Sequence, residues 1–460
     1  IKVIPVYPRN HINFNQCIGR ASHRAGVAQR TQQAANQGGL SCAEVAVEPD
    51  NRARIERRCQ AATKAGRRCF IRQMQAQRRL FMIRAMQDEN SQKDVDRGPG
   101  RDPGGHRDYA ELSLRIKALG RKLGFAEIAV AGVDVAAAAP WLRRWLALGR
   151  HGEMDYMAKH AALRAAPQQL LAGALTVIST RLPYWPDAAD AKQVLANGEQ
   201  AYVSRYALGR DYHKTVRQRL RQLVDHIRLE TDALAPAEAF AYRVFTDSAP
   251  LLETEFACQS GIAWRGKHTL SLTRGGSWHF LGEILTTLPL PPDAPIDDHC
   301  GNCRRCLDAC PTGAIVAPYE VDARLCISYL TIELHGAIPV ALRPLVGNRI
   351  YGCDDCQLCC PWNRFAGLGD PDFAVRNGLD ARPLAELFAW NEEQFNARLA
   401  GSPIRRIGHQ RWLRNIAVAL GNAPGSPAVV AALSTRADDR SALVREHVAW
   451  AVARQVGKSG

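Results

Sequence analysis

Nine cysteines crowd between Cys300 and Cys360, at spacings suited to inorganic clusters. One run reads Cys300-x2-Cys303-x2-Cys306-x3-Cys310-Pro311. A second reads Cys353-x2-Cys356-x3-Cys360-Pro361, with Cys326 between the runs and Cys359 beside Cys360. A tight C-x2-C-x2-C loop lets three thiolates reach three irons of one 4Fe–4S cubane, while the fourth cysteine points to the other cubane. Structural zinc is the alternative, but its sites pair two C-x2-C knuckles rather than use a triple run. The same rule divides the ligands. Cys300, Cys303 and Cys306 serve one cluster, closed by a cysteine before Pro361; Cys310 joins Cys353 and Cys356 in the second, which Cys326 completes. Cys359 and Cys360 both stand where the first cluster must close. Cys360 directly precedes proline, as Cys310 does, and is chosen; Cys359 is then a small buried hydrophobe. Two such clusters deliver low-potential electrons one at a time and call for an external low-potential donor.

Packing most of 14 cysteines into one stretch of a 460-residue chain marks a metal centre rather than a disulfide scaffold. Thiolate clusters of this kind suit a reducing cytoplasm. No stretch approaches the roughly 20 apolar residues of a membrane span. The segment Arg78-Arg79-Leu80-Phe81-Met82-Ile83 imitates a twin-arginine export signal. Arg84, Gln87, Asp88, Glu89 and Asn90 follow where an apolar run is needed, so export is rejected. The formal charge is +15, yet residues 1–107 hold 20 Lys+Arg against 9 Asp+Glu, a surplus of +11. The remainder carries only +4, so a nucleic-acid partner must be argued from local patches.

The elements that position the cysteines can be traced along the chain. Residues 1–107, rich in Arg, Gln, Ala and Gly, form a basic extension expected to be disordered. From residue 108, Leu112, Ile116, Leu119 and Leu123 recur at helical spacing and Gly124 stops the helix. Strands are expected at 128–130, 175–179 and 242–245, with a helix near 213–230 between them. This alternation predicts an α/β domain over 108–290. A proline-rich stretch from Pro289 to Pro295 leads into a ferredoxin-like segment, 291–368. Beyond it, Asn415-Ile416-Ala417-Val418-Ala419-Leu420 and His447-Val448-Ala449-Trp450-Ala451-Val452 lie 32 residues apart. They suggest HEAT-like helical repeats over 369–460, or else two unrelated core helices. The whole is an α+β multidomain chain.

From residue 108 onward the sequence closely resembles epoxyqueuosine reductase, the cobalamin-dependent enzyme that completes queuosine in tRNA. The residues that carry the resemblance include His151-Gly152-Glu153-Met154-Asp155 and the run from Tyr202-Val203-Ser204-Arg205-Tyr206 to Asp211-Tyr212-His213. They continue with Asp247-Ser248-Ala249-Pro250, Trp264-Arg265-Gly266-Lys267-His268, the cysteine runs, and Asn348-Arg349-Ile350-Tyr351-Gly352. Arg405-Arg406-Ile407-Gly408-His409 and Arg411-Trp412-Leu413-Arg414-Asn415 complete the match. Residues 1–107 fall outside it.

The resemblance implies base-off cobalamin between the first domain and the ferredoxin module, with Asp247 as proton donor. Removing an epoxide oxygen as water consumes two electrons and two protons, and an alkoxide leaves poorly unless a general acid protonates it. Read without the family, Asp247 after strand-like Val244-Phe245-Thr246 would cap the next helix. Arg164, Ser204, Ser271, Thr273 and Leu281 carry over as further corrin-pocket positions. Asp211-x-His213-x-x-Val216 only half matches a D-x-H-x-x-G cobalamin motif, and Tyr212 and His213 are expected simply to open the following helix. For tRNA, Arg405, Arg406, Arg411 and Arg414 with Trp412 form a basic, aromatic cluster able to hold phosphates and stack on a base; a solvated helical face is the alternative. The resemblance implies tRNAs with GUN anticodons (Tyr, His, Asn, Asp); the expected protein is a soluble, cytoplasmic monomer. A reductive dehalogenase-like cobalamin enzyme and a non-catalytic ferredoxin-type carrier are the competing classes.

Overall fold

Leu112 and Ile116, four residues apart on one face of helix α1 (Tyr109–Lys122), are both fully buried. The chain turns out of this helix at Gly124, whose φ of 90° suits glycine. It then enters strand β1 (Glu127–Gly132) and, further on, β2 (Thr176–Pro183). Helix α2 (Tyr212–Leu234) carries buried Val216, Leu220, Leu223, Val224 and Ile227 along one stripe. Strand β3 (Tyr242–Phe245), the short helix α3 (Glu253–Gln259) and strand β4 (His279–Thr286) complete the first region.

The four strands form one sheet in the order β1-β2-β4-β3. Every pairing is antiparallel: Val130 faces Ile178, Ile178 faces Ile284, and Val244 faces Ile284. The α/β expectation is corrected here, because strand alternation with helices arises without a parallel sheet and the fold is α+β. Side-chain period two sorts the strands between two cores. Ile128, Val130, Ile178 and Ile284 pack with α1 and α2, while Val177, Leu285 and Phe245 pack with Leu142, Trp145 and Phe256. Strand β4, central in the sheet, was not among the expected strands.

The computed structural model describes residues 109–234 and 240–459, all within one compact unit. The expected disorder of 1–107, Cys17, Cys42, Cys59, Cys69 and segment 78–83 lie outside them. Between 300 and 368 regular structure is sparse. The one-turn helices Arg305–Asp308 and Asp355–Leu358 lie within the two cysteine runs, and a parallel pairing joins Arg349–Tyr351 to Tyr202–Val203. The tail is helical: α4 (Gly408–Asn422), α5 (Pro427–Ser434) and α6 (Ala442–Ser459). The two similar segments lie on α4 and α6, which touch closely enough that a Cβ on Gly421 would meet the Trp450 ring at 2.5 Å. No helix among the described residues is long and apolar enough to cross a membrane.

Candidate active site

Each cysteine run bends through a turn, enters a one-turn helix and leaves through Cys-Pro, so its thiols face inward from several directions. They ring two cavities of about 50 Å³ each. Cys300, Cys303, Cys306 and Cys360 line one. Cys310, Cys326, Cys353 and Cys356 line the other. A single water needs roughly 10–15 Å³, so each cavity holds a compact group of several atoms. Among the described residues no three His, Cys, Asp or Glu side chains converge tightly enough for one metal ion. Burial, compounded by neighbouring thiols, pushes Cys306 up to about 12. It also pushes Cys353 and Cys356 well above their ordinary value. Thiols so raised can serve as thiolates only with positive charge supplied between them, which iron provides. The donor sets fit two four-iron clusters. Cys359 lines neither cavity; its Sγ donates to the Cys356 carbonyl at 3.4 Å and faces an open groove.

The two cages differ in exposure. Cys303 is exposed at the surface. The Cys326, Cys353 and Cys356 cage is deep, and Gln357, 2 % exposed, closes it. Asp354 ties this loop to the first region, accepting from Tyr202 Oη at 2.8 Å, from the Arg205 amide at 2.8 Å and from Ser204 Oγ. Ser204 therefore supports the cluster loop and does not line the cavity around Asp247.

Asp247 sits beyond β3 with φ of 55°, a left-handed conformation that aspartate tolerates better than most residues. It does not cap the next helix, because α3 has Leu252 at its N-cap. Its amide donates to Glu253 Oε1 at 2.5 Å. Its carboxylate accepts from Tyr212 Oη and faces His213 Nε2 at 3.3 Å. His213 Nδ1 is held by Asp211 Oδ1 at 2.8 Å, and Arg406 Nη2 donates to the other Asp211 oxygen at 2.7 Å. Burial works against charge on His213, but its bonds to Asp211 and Asp247 outweigh burial and the opposing Arg406, so it titrates above the ordinary histidine value. Burial holds the Tyr212 phenol well above its usual range, so it stays a donor. The half-matched motif thus does more than open a helix: Asp211 orients His213 onto Asp247.

A cavity of about 110 Å³, open to solvent, adjoins Asp247. Tyr184, Tyr206, Tyr212 and Phe280 give it aromatic walls; Thr254, Ser271, Ser277 and His279 give it polar ones. Burial and Arg181 pull His279 well below its ordinary value, so it is neutral, paired with Ser271 Oγ at 2.9 Å. Flat apolar faces with hydrogen-bonding edges suit one edge of an amide-fringed macrocycle such as cobalamin, the bulk of which would lie outside a cavity of this size. Leu281 and Ser271 line this cavity. Arg164, 2 % exposed, supports the adjoining loop through the carbonyls of Ala249 and Leu251, and its Nε is buried without a partner. Thr273 is placed elsewhere: its hydroxyl donates to the Gly276 carbonyl and accepts from the Gly275 amide, closing a turn beside a separate cleft.

The basic patch needs correction. Trp412 is fully buried, stacked 5.9 Å from Trp390 and donating to the Leu387 carbonyl, so no base can stack on it. Arg414 is fully buried, donating to the carbonyls of Leu330, Leu334 and Gly336, and burial pulls it down to about 9. Arg411 spends its guanidinium on the carbonyls of Ile407 and Ile332. Only Arg405 and Arg406 keep substantial exposure. Arg217, which donates to Ser248 Oγ beside Asp247, is a basic group at the cavity that sequence reasoning missed, and Arg210, 64 % exposed, and exposed Lys214 flank Tyr212 and His213 in the chain. Trp412→Ala is expected to cost ~3–5 kcal/mol of folding stability, read by denaturant unfolding. Weaker tRNA binding at unchanged stability would return Trp412 to the interface.

Two family profiles match this chain. One, described as a 4Fe-4S double cluster binding domain, covers residues 299–363. The other, described as epoxyqueuosine reductase QueG, DUF1730, covers residues 164–248. Epoxyqueuosine reductase of Pseudomonas aeruginosa is 54% identical over 350 residues, covering 75% of this chain and 95% of its own. That of Escherichia coli K12 is 53% identical over 351 residues, covering 76% and 91%. A crystal structure of epoxyqueuosine reductase with a tRNA-Tyr epoxyqueuosine-modified stem loop superposes at a TM-score of 0.68, with 26% identity, over 76% of this chain and 91% of that one. With relatives matched over nearly their whole length at such identity, the chain belongs to the epoxyqueuosine reductase family.

Proposed function

We infer that this chain reduces epoxyqueuosine to queuosine at the wobble position of tRNA anticodons, using electrons from two 4Fe–4S clusters and a bound cobalamin. The observation that carries this reading is a shared wall. Gln357 and Leu270 line both the Asp247 cavity and the cavity of Cys310, Cys326, Cys353 and Cys356. A redox group beside Asp247 is then one side-chain layer from the deep cluster, while the cluster of Cys300, Cys303, Cys306 and Cys360 lies nearer the surface and receives electrons from an external donor.

Cobalamin, when bound, supplies the low-potential reductant at the epoxide carbon. The protein's share is binding, orientation and protons. Epoxide plus two electrons and two protons gives alkene plus water. Asp247 would protonate the departing oxygen, and His213, oriented by Asp211, would replace that proton. Tyr212 fixes the carboxylate. Ser271 and Leu281 lie where they would contact the corrin, and Arg164 braces the Asp247 loop from behind. Arg210, Lys214, Arg217, Arg405 and Arg406 offer phosphate contacts around the mouth, with the modified base turned out of the anticodon loop into the cavity.

The proposed layout assigns 108–290 to cobalamin, 291–368 to the clusters and 369–460 to a HEAT-like tail that buttresses both. The substrates are tRNAs for Tyr, His, Asn and Asp, read by a cytoplasmic monomer. Anaerobic incubation with a stem loop bearing epoxyqueuosine, followed by nucleoside analysis, tests the reading: queuosine supports it, and unchanged nucleoside from cobalamin- and cluster-loaded protein refutes it.

The His213 proton is present below its raised value and lost as pH climbs through it. Turnover is therefore expected to fall on that alkaline limb. In His213→Asn the group that titrates on that limb is gone, so the limb is expected to leave its wild-type position. Single-turnover rates across pH check this; an unmoved limb removes His213 from proton supply.

A further inference from the structure

A short hairpin, Trp264–Arg265 paired with Ser271–Leu272, reaches from the first region to the thiol cages. Its tip is tight: the Thr269 amide donates to the Gly266 carbonyl at 2.8 Å, and Thr269 adopts φ of 73°. His268 sits on this tip, 4 % exposed, and lines both thiol-ringed cavities. Its Nδ1 accepts the Leu270 amide at 3.2 Å, which leaves the ring proton on Nε2. That Nε2–H is buried without any partner. An unmet buried donor costs free energy comparable to a lost hydrogen bond, so such a group is expected to have an acceptor in the loaded protein. Gly266 clears the space for the ring, since a Cβ there would lie 2.5 Å from His268 Cε1.

The rest of the hairpin serves the same cages. Lys267 Nζ donates to the carbonyls of Gly301 and Cys303. Trp264 Nε1 is also buried and lies beside Cys300, where its N–H favours the thiolate. Residues 264–268 fall outside both matched profiles, 164–248 and 299–363.

We propose that His268 is a positioning residue for electron transfer: its Nε2–H, wedged between the two cages, donates to a sulfur of an iron–sulfur cluster and raises that cluster's reduction potential. The physical reason is charge. Reduction adds an electron to the cluster, its sulfurs become better acceptors, and an N–H donor stabilises the reduced form more than the oxidised one. The inference rests on the cluster reading above.

The test is a mediated redox titration, followed by EPR, of the cluster-loaded full chain as wild type, His268→Phe and His268→Gln. Iron and sulfide are expected to be equal in all three. His268→Phe lowers one midpoint; a tenfold change in the reduction equilibrium is ~59 mV for one electron. His268→Gln, which keeps an N–H, falls between. Unchanged midpoints in a fully loaded His268→Phe protein overturn the proposal. Equal loss of a cluster from both variants also overturns it, because the ring would then serve packing alone. Wild-type protein lacking sulfide would instead sink the underlying cluster reading.

Discussion

Asp247→Asn is expected to retain both clusters while lowering turnover by roughly 10²–10⁴, the range of general acid–base catalysis. The substitution is chosen because the fold has little reason to notice it. Asparagine tolerates the left-handed φ of 55°, its amide N–H still donates to Glu253, and its side-chain oxygen still accepts from Tyr212. What disappears is a group that can hold a proton between His213 and the departing oxygen. Iron, sulfide and thermal stability should match wild type, and tRNA affinity should change little. Normal turnover in this variant removes Asp247 from the mechanism. A loss of turnover accompanied by lost clusters would point instead to a structural role.

The second large effect separates two adjacent thiols. Cys360 lines the cavity with Cys300, Cys303 and Cys306, whereas Cys359 faces the groove and donates to a backbone carbonyl. Cys360→Ala is expected to lose half the iron and sulfide and, with the outer cluster gone, all turnover that depends on an external donor. Cys359→Ala is expected to keep the full complement and near-normal turnover. Iron and sulfide assays on anaerobically prepared protein decide between them, and the reverse pattern overturns the ligand assignment.

Much of the redox centre was legible because ligand spacing is local: a C-x2-C-x2-C loop constrains its own geometry, and the Cys-Pro ends mark the crossing ligands. Helices α1 and α2 were equally legible, since residues such as Leu112 and Ile116 repeat at the helical period. The sheet was not. His279–Thr286 carries Gly282 and polar Glu283 within its run, and only its pairing with Thr176–Pro183 and Tyr242–Phe245 reveals an antiparallel sheet. The arginine cluster misled for a related reason. Sequence displays charge but not burial, and Arg414 spends its guanidinium on carbonyls some 80 residues away. His213 was visible within a motif, yet its partner Asp247 arrives from another strand end, 35 residues after Tyr212.

In the proposed reading the thiol cages feed the Asp247 site. The decisive experiment mixes anaerobically prereduced, fully loaded protein rapidly with a stem loop bearing epoxyqueuosine and no further reductant. Cluster absorbance is expected to return to the oxidised form at the rate at which queuosine appears. Queuosine formed while the clusters stay reduced would contradict that reading.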